Sequence, residues 1–543
     1  MTRTGGQLLV EGLRRWGVEV LFGIPGVQLD WFFDAIAEDG SIEVVHTRHE
    51  QGAAYMADGY ARSTGRVGVC AVVPGPGVLN ALAALCTAYA TNSPVLCITG
   101  HVFGGDAVNG TGALHELPDQ TAAINAVIRR SARARTADEV PGIVDEAFVA
   151  LTAPGRRRPY ALEVGPDVLG APTEAVYGPR PLGREPARPS ATALDQAVAA
   201  LAVAQRPLVY AGGGALDAGP AVAALADHLD APVVLTYNGR GTLSDRLPRV
   251  LPPAAAFALL PTVDAVVAIG SRFFGSLGPL RLAEGTAVVR IDADAEQLIR
   301  SPAGTVSLLA DATAGTLDLL AALKVAGPGT GPRPDVAADI ARVRAAVADG
   351  LHQGWPEVAA MADAIRAALP DDGILVDEMT QVGYWARSGH PVYAPRTYIG
   401  SGYQGTLGSG FATSLGAKVA NPDRVVVSIN GDGGFLFTAA ELATAHQHGI
   451  DVIAVVFDDG AYGNVRGIQQ RTYGREVGSS LTNPDWVGLA LAFGIAGTFA
   501  PDAVSLRRAV ADAIERGGPA LIHVPIGPQP DMWAVIGGRQ VLA

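Results

Sequence analysis

Cysteine is nearly absent: three thiols, Cys70, Cys86 and Cys97, in 543 residues. They have neither the spacing of a metal site nor the density of a disulfide scaffold. Each lies in an apolar stretch, so they are expected to be buried thiols of a reducing compartment. Charge is also scarce, at 17% of residues, and unbalanced: 53 acidic against 40 basic side chains give a net charge of −13. No basic run appears anywhere, which argues against a nucleic-acid partner. No uninterrupted apolar stretch reaches the roughly 18 residues of a membrane span. The opening Met1-Thr2-Arg3-Thr4-Gly5 carries no apolar signal core. The expectation is a cytoplasmic protein acting on small molecules, without membrane or nucleic-acid partners. What the chain has in quantity is glycine, 67 residues in a sequence that is 49% hydrophobic, as fits α/β domains with tight strand-to-helix turns.

Two Pro/Gly-rich stretches lack hydrophobic periodicity and read as linkers: 177–189 (YGPRPLGREPARP) and 326–334 (AGPGTGPRP). They divide the chain into segments 1–176, 190–325 and 335–543. In each segment short apolar runs alternate with helical patterns. The runs include 67–73 and 95–99 in the first segment, and 208–211, 233–236, 265–269 and 288–291 in the second. The third has 374–376, 425–429, 453–457 and 521–524. Continuous β-branched runs of this kind are what parallel strands covered on both faces require. The fold expected is α/β, with three doubly wound domains of mainly parallel sheet. In the second, Gly212-Gly213-Gly214 could hold a dinucleotide, although a tight turn after a strand is the favoured explanation.

The most informative stretch runs from 431 to 464, GDGGFLFTAAELATAHQHGIDVIAVVFDDGAYGN. An apolar run enters Gly431-Asp432-Gly433-Gly434, a helical pattern follows (Phe437, Leu442, Ala445), and a second run ends in Asp458-Asp459-Gly460. In a parallel sheet both acidic turns would lie at the carboxyl edge, where doubly wound folds collect ligands. Glycines admit a diphosphate to the backbone, and two carboxylates can hold a hard cation against it. A lone Gly-Asp-Gly is ordinarily just a turn. The second acidic turn, with Asp459 27 residues after Asp432, gives the pattern its meaning. A second constellation, Arg48-His49-Glu50-Gln51-Gly52, places Glu50 where an apolar run gives way to a small-residue helix. Alone, such a glutamate reads as a charge meeting a helix dipole.

Taken together, Gly23-Ile24-Pro25-Gly26, the Glu50 segment, Pro74-Gly75-Pro76-Gly77, Gly405-Thr406-Leu407-Gly408 and the 432–464 stretch resemble the thiamin diphosphate (ThDP) enzymes. The similarity is to the acetolactate synthase and pyruvate decarboxylase superfamily and covers essentially the whole chain. It implies a pyrimidine-binding first domain, a central domain and a diphosphate-binding last domain. It implies ThDP and Mg²⁺ as cofactors. Glu50 would activate the cofactor, Leu407 would wedge it into a bent shape, and the Gly405 carbonyl would orient its amino group. Asp432, Asp459 and the Ala461 carbonyl would hold the metal. Gly433, Gly434 and Gln381 would meet the diphosphate. Many relatives have asparagine where Asp459 stands, so an Asp459→Asn change is expected to be mild. The resemblance further implies a homodimer or homotetramer whose sites combine Glu50 of one subunit with the diphosphate motif of another.

The departures sharpen the reading. Pyruvate decarboxylases have an aspartate where this chain has Val27, paired histidines where it has Leu114-His115-Glu116, and a glutamate where it has Val465. Those groups supply the proton that releases an aldehyde. Their loss favours passing the acyl anion equivalent to a second carbonyl. Ile468 stands where acetolactate synthases have a substrate-selecting tryptophan. The FAD-contacting segments are also altered, between Leu251 and Leu260 and over Arg272-Phe273-Phe274-Gly275-Ser276, so FAD is in doubt. Gln28 and His115 are the polar side chains left to face substrate. The expected function is a carboligase acting on a pyruvate-like 2-oxo acid. The alternatives are a simple decarboxylase, a C–C hydrolase or lyase, and a non-catalytic subunit of this fold.

Overall fold

The computed structural model describes residues 2–104, 110–183, 185–273, 281–327 and 335–531. Three six-stranded sheets, each wholly parallel, carry the chain. The first runs in the spatial order Glu43–His46, Val20–Gly23, Gly68–Val72, Val95–Thr99, Tyr160–Val164, Ser131–Ala134. Numbered by sequence, that is 2-1-3-4-6-5. The last sheet repeats this order with Tyr398–Ile399, Ile374–Asp377, Val426–Gly431, Val452–Asp458, Ala520–Pro525 and Ala496–Phe499. The middle sheet differs, at 3-2-1-4-5-6: Val250–Leu251, Val233–Leu235, Pro207–Ala211, Ala265–Ile269, Ala287–Asp292, Val306–Leu309. Central strands such as Gly68–Val72, Val95–Thr99 and Ala265–Ile269 are buried along their whole length. Helices cover both faces, so the continuous apolar runs have no solvent side on which to alternate. The three doubly wound α/β domains read from the sequence are present.

The first and last sheets share one hydrophobic core. Val45, Phe22 and Cys70 of one belong to the same cluster as Val376, Val456 and Leu521 of the other. Between them, helix Glu50–Thr64 lies against helix Ser409–Ala420. The approach is close because neither helix offers side-chain bulk at the crossing. A β-carbon on Gly59 would lie 2.9 Å from the Thr413 carbonyl carbon, and one on Gly416 would lie 2.5 Å from that of Met56. Helix Val336–Gly354 sends Ile340, Val343, Val347 and Leu351 into a second core, shared by the middle and last sheets.

Some local expectations change. The single helix read after Gly431 is broken into three pieces, Asp432–Phe435, Ala439–Glu441 and Leu442–His448. Phe437, read as part of its apolar face, is exposed. Cys70 and Cys97 are buried, whereas Cys86 is only half-buried. Gly212-Gly213-Gly214 makes a tight turn. A β-carbon on Gly214 would meet the Gly270 backbone at 2.9 Å, so the crossing of two turns accounts for that glycine. The described part of the first linker has no helix or strand, while residues 328–334 of the second lie outside the described residues, as do Phe274, Gly275 and Ser276. Among the described residues no helix is long and apolar enough to cross a membrane.

Candidate active site

In an open parallel sheet the crevice for a ligand opens where neighbouring strands send their connections to opposite faces. In the last domain that point lies between Ile374–Asp377 and Val426–Gly431. The chain leaving the first of these strands carries Glu378 and Gln381. The chain leaving the second carries Asp432, Gly433 and Gly434. Asp459 follows the next strand, Val452–Asp458.

Three carboxylates crowd this edge. Asp432 is only 2% exposed. The Asn483 amide donates to Asp432 Oδ2 and Asp458 Oδ1, both at 2.7 Å, and Trp486 Nε1 donates to Asp458 Oδ2 at 2.6 Å. Burial pushes the Asp432 carboxyl up to about 6, with the charges of Asp459 and Asp458 adding to it against the Asn483 bond. Asp459 is raised by burial too, opposed by Arg466 at 3.2 Å. Asp458 is held below its ordinary value, hydrogen bonds from Trp486, the Gly460 N–H and Asn483 outweighing burial. So much carboxylate against one arginine favours a cation. Among the described residues no three His, Cys, Asp or Glu side chains converge in metal-holding geometry. A cation here would therefore need backbone and ligand oxygens besides the two carboxylates. Ala461 is suitably fixed, in an isolated bridge to Ser480.

The crevice also holds buried polar atoms without partners: Glu378 Oε2, Gln381 Oε1, Ser409 Oγ and Asn430 Oδ1. Native proteins seldom leave such atoms unpaired, and a gathering of them at a switch point suits a polar ligand. Glu378 is the most unusual. It is 1% exposed, and burial, aided by the charge of Asp377, pushes its carboxyl up to about 8, against bonds from the Gly408 and Ser409 N–H groups. Its Oε1 accepts from the Gly408 N–H. A β-carbon on Gly434 would lie 2.7 Å from its carboxyl carbon, and one on Gly433 would lie 2.6 Å from the Tyr462 ring. Both glycines are thus compelled from within the chain. Leu407 is half-buried, between Gly405 at φ 61° and Gly408 at φ 82°. Thr438 Oγ1 donates to the Gly408 carbonyl at 3.0 Å, so both backbone polar groups of Gly408 are tied.

The first domain supplies the other candidates. Glu50 opens helix Glu50–Thr64, with His49 as N-cap, and its Oε2 accepts from Asn80 at 3.0 Å. The helix start is braced from the last domain: fully buried Glu441 accepts from the backbone N–H groups of Arg48 and His49 at 3.1 and 3.0 Å. Gln28 is 1% exposed. It donates to the Leu114 carbonyl at 3.2 Å, and its Oε1 faces His115 Nδ1 at 3.2 Å. His115 takes φ 66°, which suits few residues with a β-carbon. Gln28 and His115 are therefore brought together, as are Asp432, Gly433, Gly434, Asp459 and Ala461, with Gln381, Gly405 and Leu407 on the same crevice. No hydrogen bond among the described residues joins Glu50 to Asp432, Asp459 or Leu407.

The three domains match three family models in order. Residues 3–123 match the thiamine pyrophosphate enzyme N-terminal TPP binding domain, 194–323 the central domain and 378–524 the C-terminal TPP binding domain. The chain belongs to the thiamine pyrophosphate enzymes. It is 35% identical to a probable 2-ketoarginine decarboxylase of Pseudomonas aeruginosa, over 96% of this chain and 94% of that protein. It is 30% identical to an acetolactate synthase of Mycobacterium bovis (98% and 90%) and 28% to the acetolactate synthase isozyme 1 large subunit of Escherichia coli (98% and 96%). It is thus a ThDP-dependent 2-oxo acid enzyme of the acetolactate synthase type.

Sequence reading passed over Glu378, Glu441, Asp458, Arg466 and Asn483. Asp458 alone had a local signal, as an acid directly after an apolar run and part of the second acidic turn. Asn483 lies 51 residues from Asp432 in sequence, and only the order of the strands brings them together.

Proposed function

We propose that this enzyme uses ThDP and Mg²⁺ to decarboxylate a pyruvate-like 2-oxo acid and transfers the acyl anion equivalent to an acceptor carbonyl. The observation that carries the transfer is helix Gly463–Tyr473, which buries none of its residues. Val465 and Ile468, three apart and so on one face, are 49% and 41% exposed. A carboxyl at Val465 could deliver a proton and end the reaction as an aldehyde. An apolar pair delivers none and excludes water.

Asp432, Asp459 and the Ala461 carbonyl would hold the Mg²⁺. Gly433, Gly434 and Gln381 would take the diphosphate, with the surplus carboxylates and orphaned polar atoms as the basis for that fit. Bound ThDP supplies the electron sink into which the donor loses CO₂. Leu407, beside the anchored Gly408, would press on a bound cofactor, and the Gly405 carbonyl would orient its amino group. Glu50 would hold or give up a proton at the pyrimidine ring of bound ThDP. Its Oε2 accepts from Asn80, and among the described residues no hydrogen bond joins it to Asp432 or Asp459 of its own chain, which supports a homodimer or dimer of dimers with Glu50 reaching the partner's cofactor. Domain limits of 1–176, 190–325 and 335–543 belong to the same reading.

A simple decarboxylase is the second reading. It is favoured by the Gln28–His115 contact, which holds an imidazole that can give up a proton, and by the name of the Pseudomonas relative. Product analysis with pyruvate alone separates the two. Acetolactate or acetoin supports transfer. Free acetaldehyde without either supports the second reading.

A further inference from the structure

The carboxylates at the diphosphate crevice are not treated alike. Asp432 and Asp458 are held by neutral donors, the Asn483 amide and the Trp486 indole. Asp459 alone is given a guanidinium: Arg466 donates to its Oδ2 at 3.2 Å, and both side chains are mostly buried, at 18% and 15% exposed, whereas Asp458 has only the His523 ring at 3.4 Å, which burial pushes toward its neutral form. The backbone makes room for this pairing. Gly463 starts the helix that carries Arg466, and a β-carbon there would run into the Asp459 carboxylate. Arg466 itself is anchored in that helix by its N–H to the Tyr462 carbonyl at 2.9 Å.

We propose that Arg466 is a positioning residue, a counter-ion built in for Asp459 that makes this carboxylate act on a metal as a neutral oxygen ligand. The inference rests on the metal reading given above. One oxygen of Asp459 stays with the guanidinium and the other remains for the cation. The need is electrostatic. A diphosphate brings its own negative charge, and a second uncompensated carboxylate beside Asp432 would repel it while holding the cation too tightly. A fixed arginine cancels that charge without occupying a coordination position. Asp459→Asn then ceases to be a mild change, because it strands an unpaired guanidinium next to the cation.

The test is Mn²⁺ binding, read from the electron paramagnetic resonance of the free ion, without substrate. In the presence of ThDP, Asp459→Asn should bind Mn²⁺ at least about tenfold more weakly than wild type. The double variant Asp459→Asn/Arg466→Gln should return to within about threefold, the two charges having left together. Without ThDP, Arg466→Gln should bind Mn²⁺ at least about threefold more tightly than wild type, and Arg466→Lys should match wild type. This arm stands even where the Asp459 variant does not fold. The proposal is overturned if Asp459→Asn stays within threefold of wild type, if the double variant binds no better than Asp459→Asn, or if Arg466→Gln leaves affinity unchanged. Asp432→Ala serves as the control. Unchanged Mn²⁺ binding there would remove the metal site itself, whereas loss there without coupling between 459 and 466 would remove only the role of Arg466.

Discussion

The first and last domains have the same strand order and therefore the same crevice, but they treat it differently. In the first domain polar groups at the carboxyl edge, beyond strands Gly68–Val72, Val95–Thr99 and Tyr160–Val164, are tied to one another within the chain. The Gln120 amide accepts from the Gly75 N–H at 3.0 Å and donates to the Gly100 carbonyl at 3.1 Å and to Glu163 at 3.0 Å. Gln28 packs beside Gly100. In the last domain Glu378, Gln381, Ser409 and Asn430 each keep a buried polar atom unpaired at that place. The first edge closes these hydrogen bonds within the chain, and the last leaves four buried polar atoms unpaired. Topology alone thus does not make a site. What distinguishes the two is whether the hydrogen bonds close within the chain.

The largest test of this contrast is Asp432→Ala. It should abolish metal-dependent ThDP binding in calorimetric titration, a loss of at least about 10²-fold, because the cation would lose its most buried carboxylate. Unchanged ThDP affinity would mean that the last crevice is not where the diphosphate sits. Next comes Glu50→Gln, which should lower turnover by about 10²-fold or more and leave ThDP affinity nearly intact, since the first domain contributes chemistry and not the diphosphate cradle. Mixed with Asp432→Ala subunits it should recover roughly a quarter to a half of wild-type activity, each heterodimer having one whole site. No recovery after verified subunit exchange would place the site within a single chain.

A pH measurement sharpens the comparison further. Glu378 keeps its proton in the folded protein up to about 8, against 4.5 for the ordinary group. The unfolded chain releases that proton first, so this carboxyl makes stability fall as pH rises from about 4.5 to about 8. Glu378→Gln should remove that component, and the melting temperature of the variant should gain on wild type steadily across the window. A constant offset at every pH would show that Glu378 does not titrate there. The smallest effect is expected in the first domain. Gln120→Ala should cost about 1–3 kcal/mol of stability, the price of unpaired buried groups, with ThDP affinity unmoved. A fall in ThDP affinity would make the first crevice a second binding site.

Much of this was legible in the sequence for a physical reason. Parallel strands covered on both faces leave continuous apolar runs, and turns such as Gly431-Asp432-Gly433-Gly434 need glycine where other groups press in. The resemblance then supplied roles for Glu50 and Leu407 that no periodicity could. Glu378, Asn483 and Arg466 were not legible, because each takes its meaning from a partner placed by the fold: Gly408, Asp432 and Asp459. The helix read through Phe437 failed because its three short pieces are too brief for a 3.6-residue period to be told from chance.

The crossing of helix Glu50–Thr64 with helix Ser409–Ala420 sets the spacing between the first and last domains of one chain by an absence of atoms. At Gly59 and Gly416 a β-carbon would lie 2.9 and 2.5 Å from a carbonyl carbon of the opposite helix. No replacement at either position can bring the helices nearer, and every replacement drives them apart. Inherited variation there is one-sided. It can only widen the gauge between the Glu50 helix and helix Ser409–Ala420.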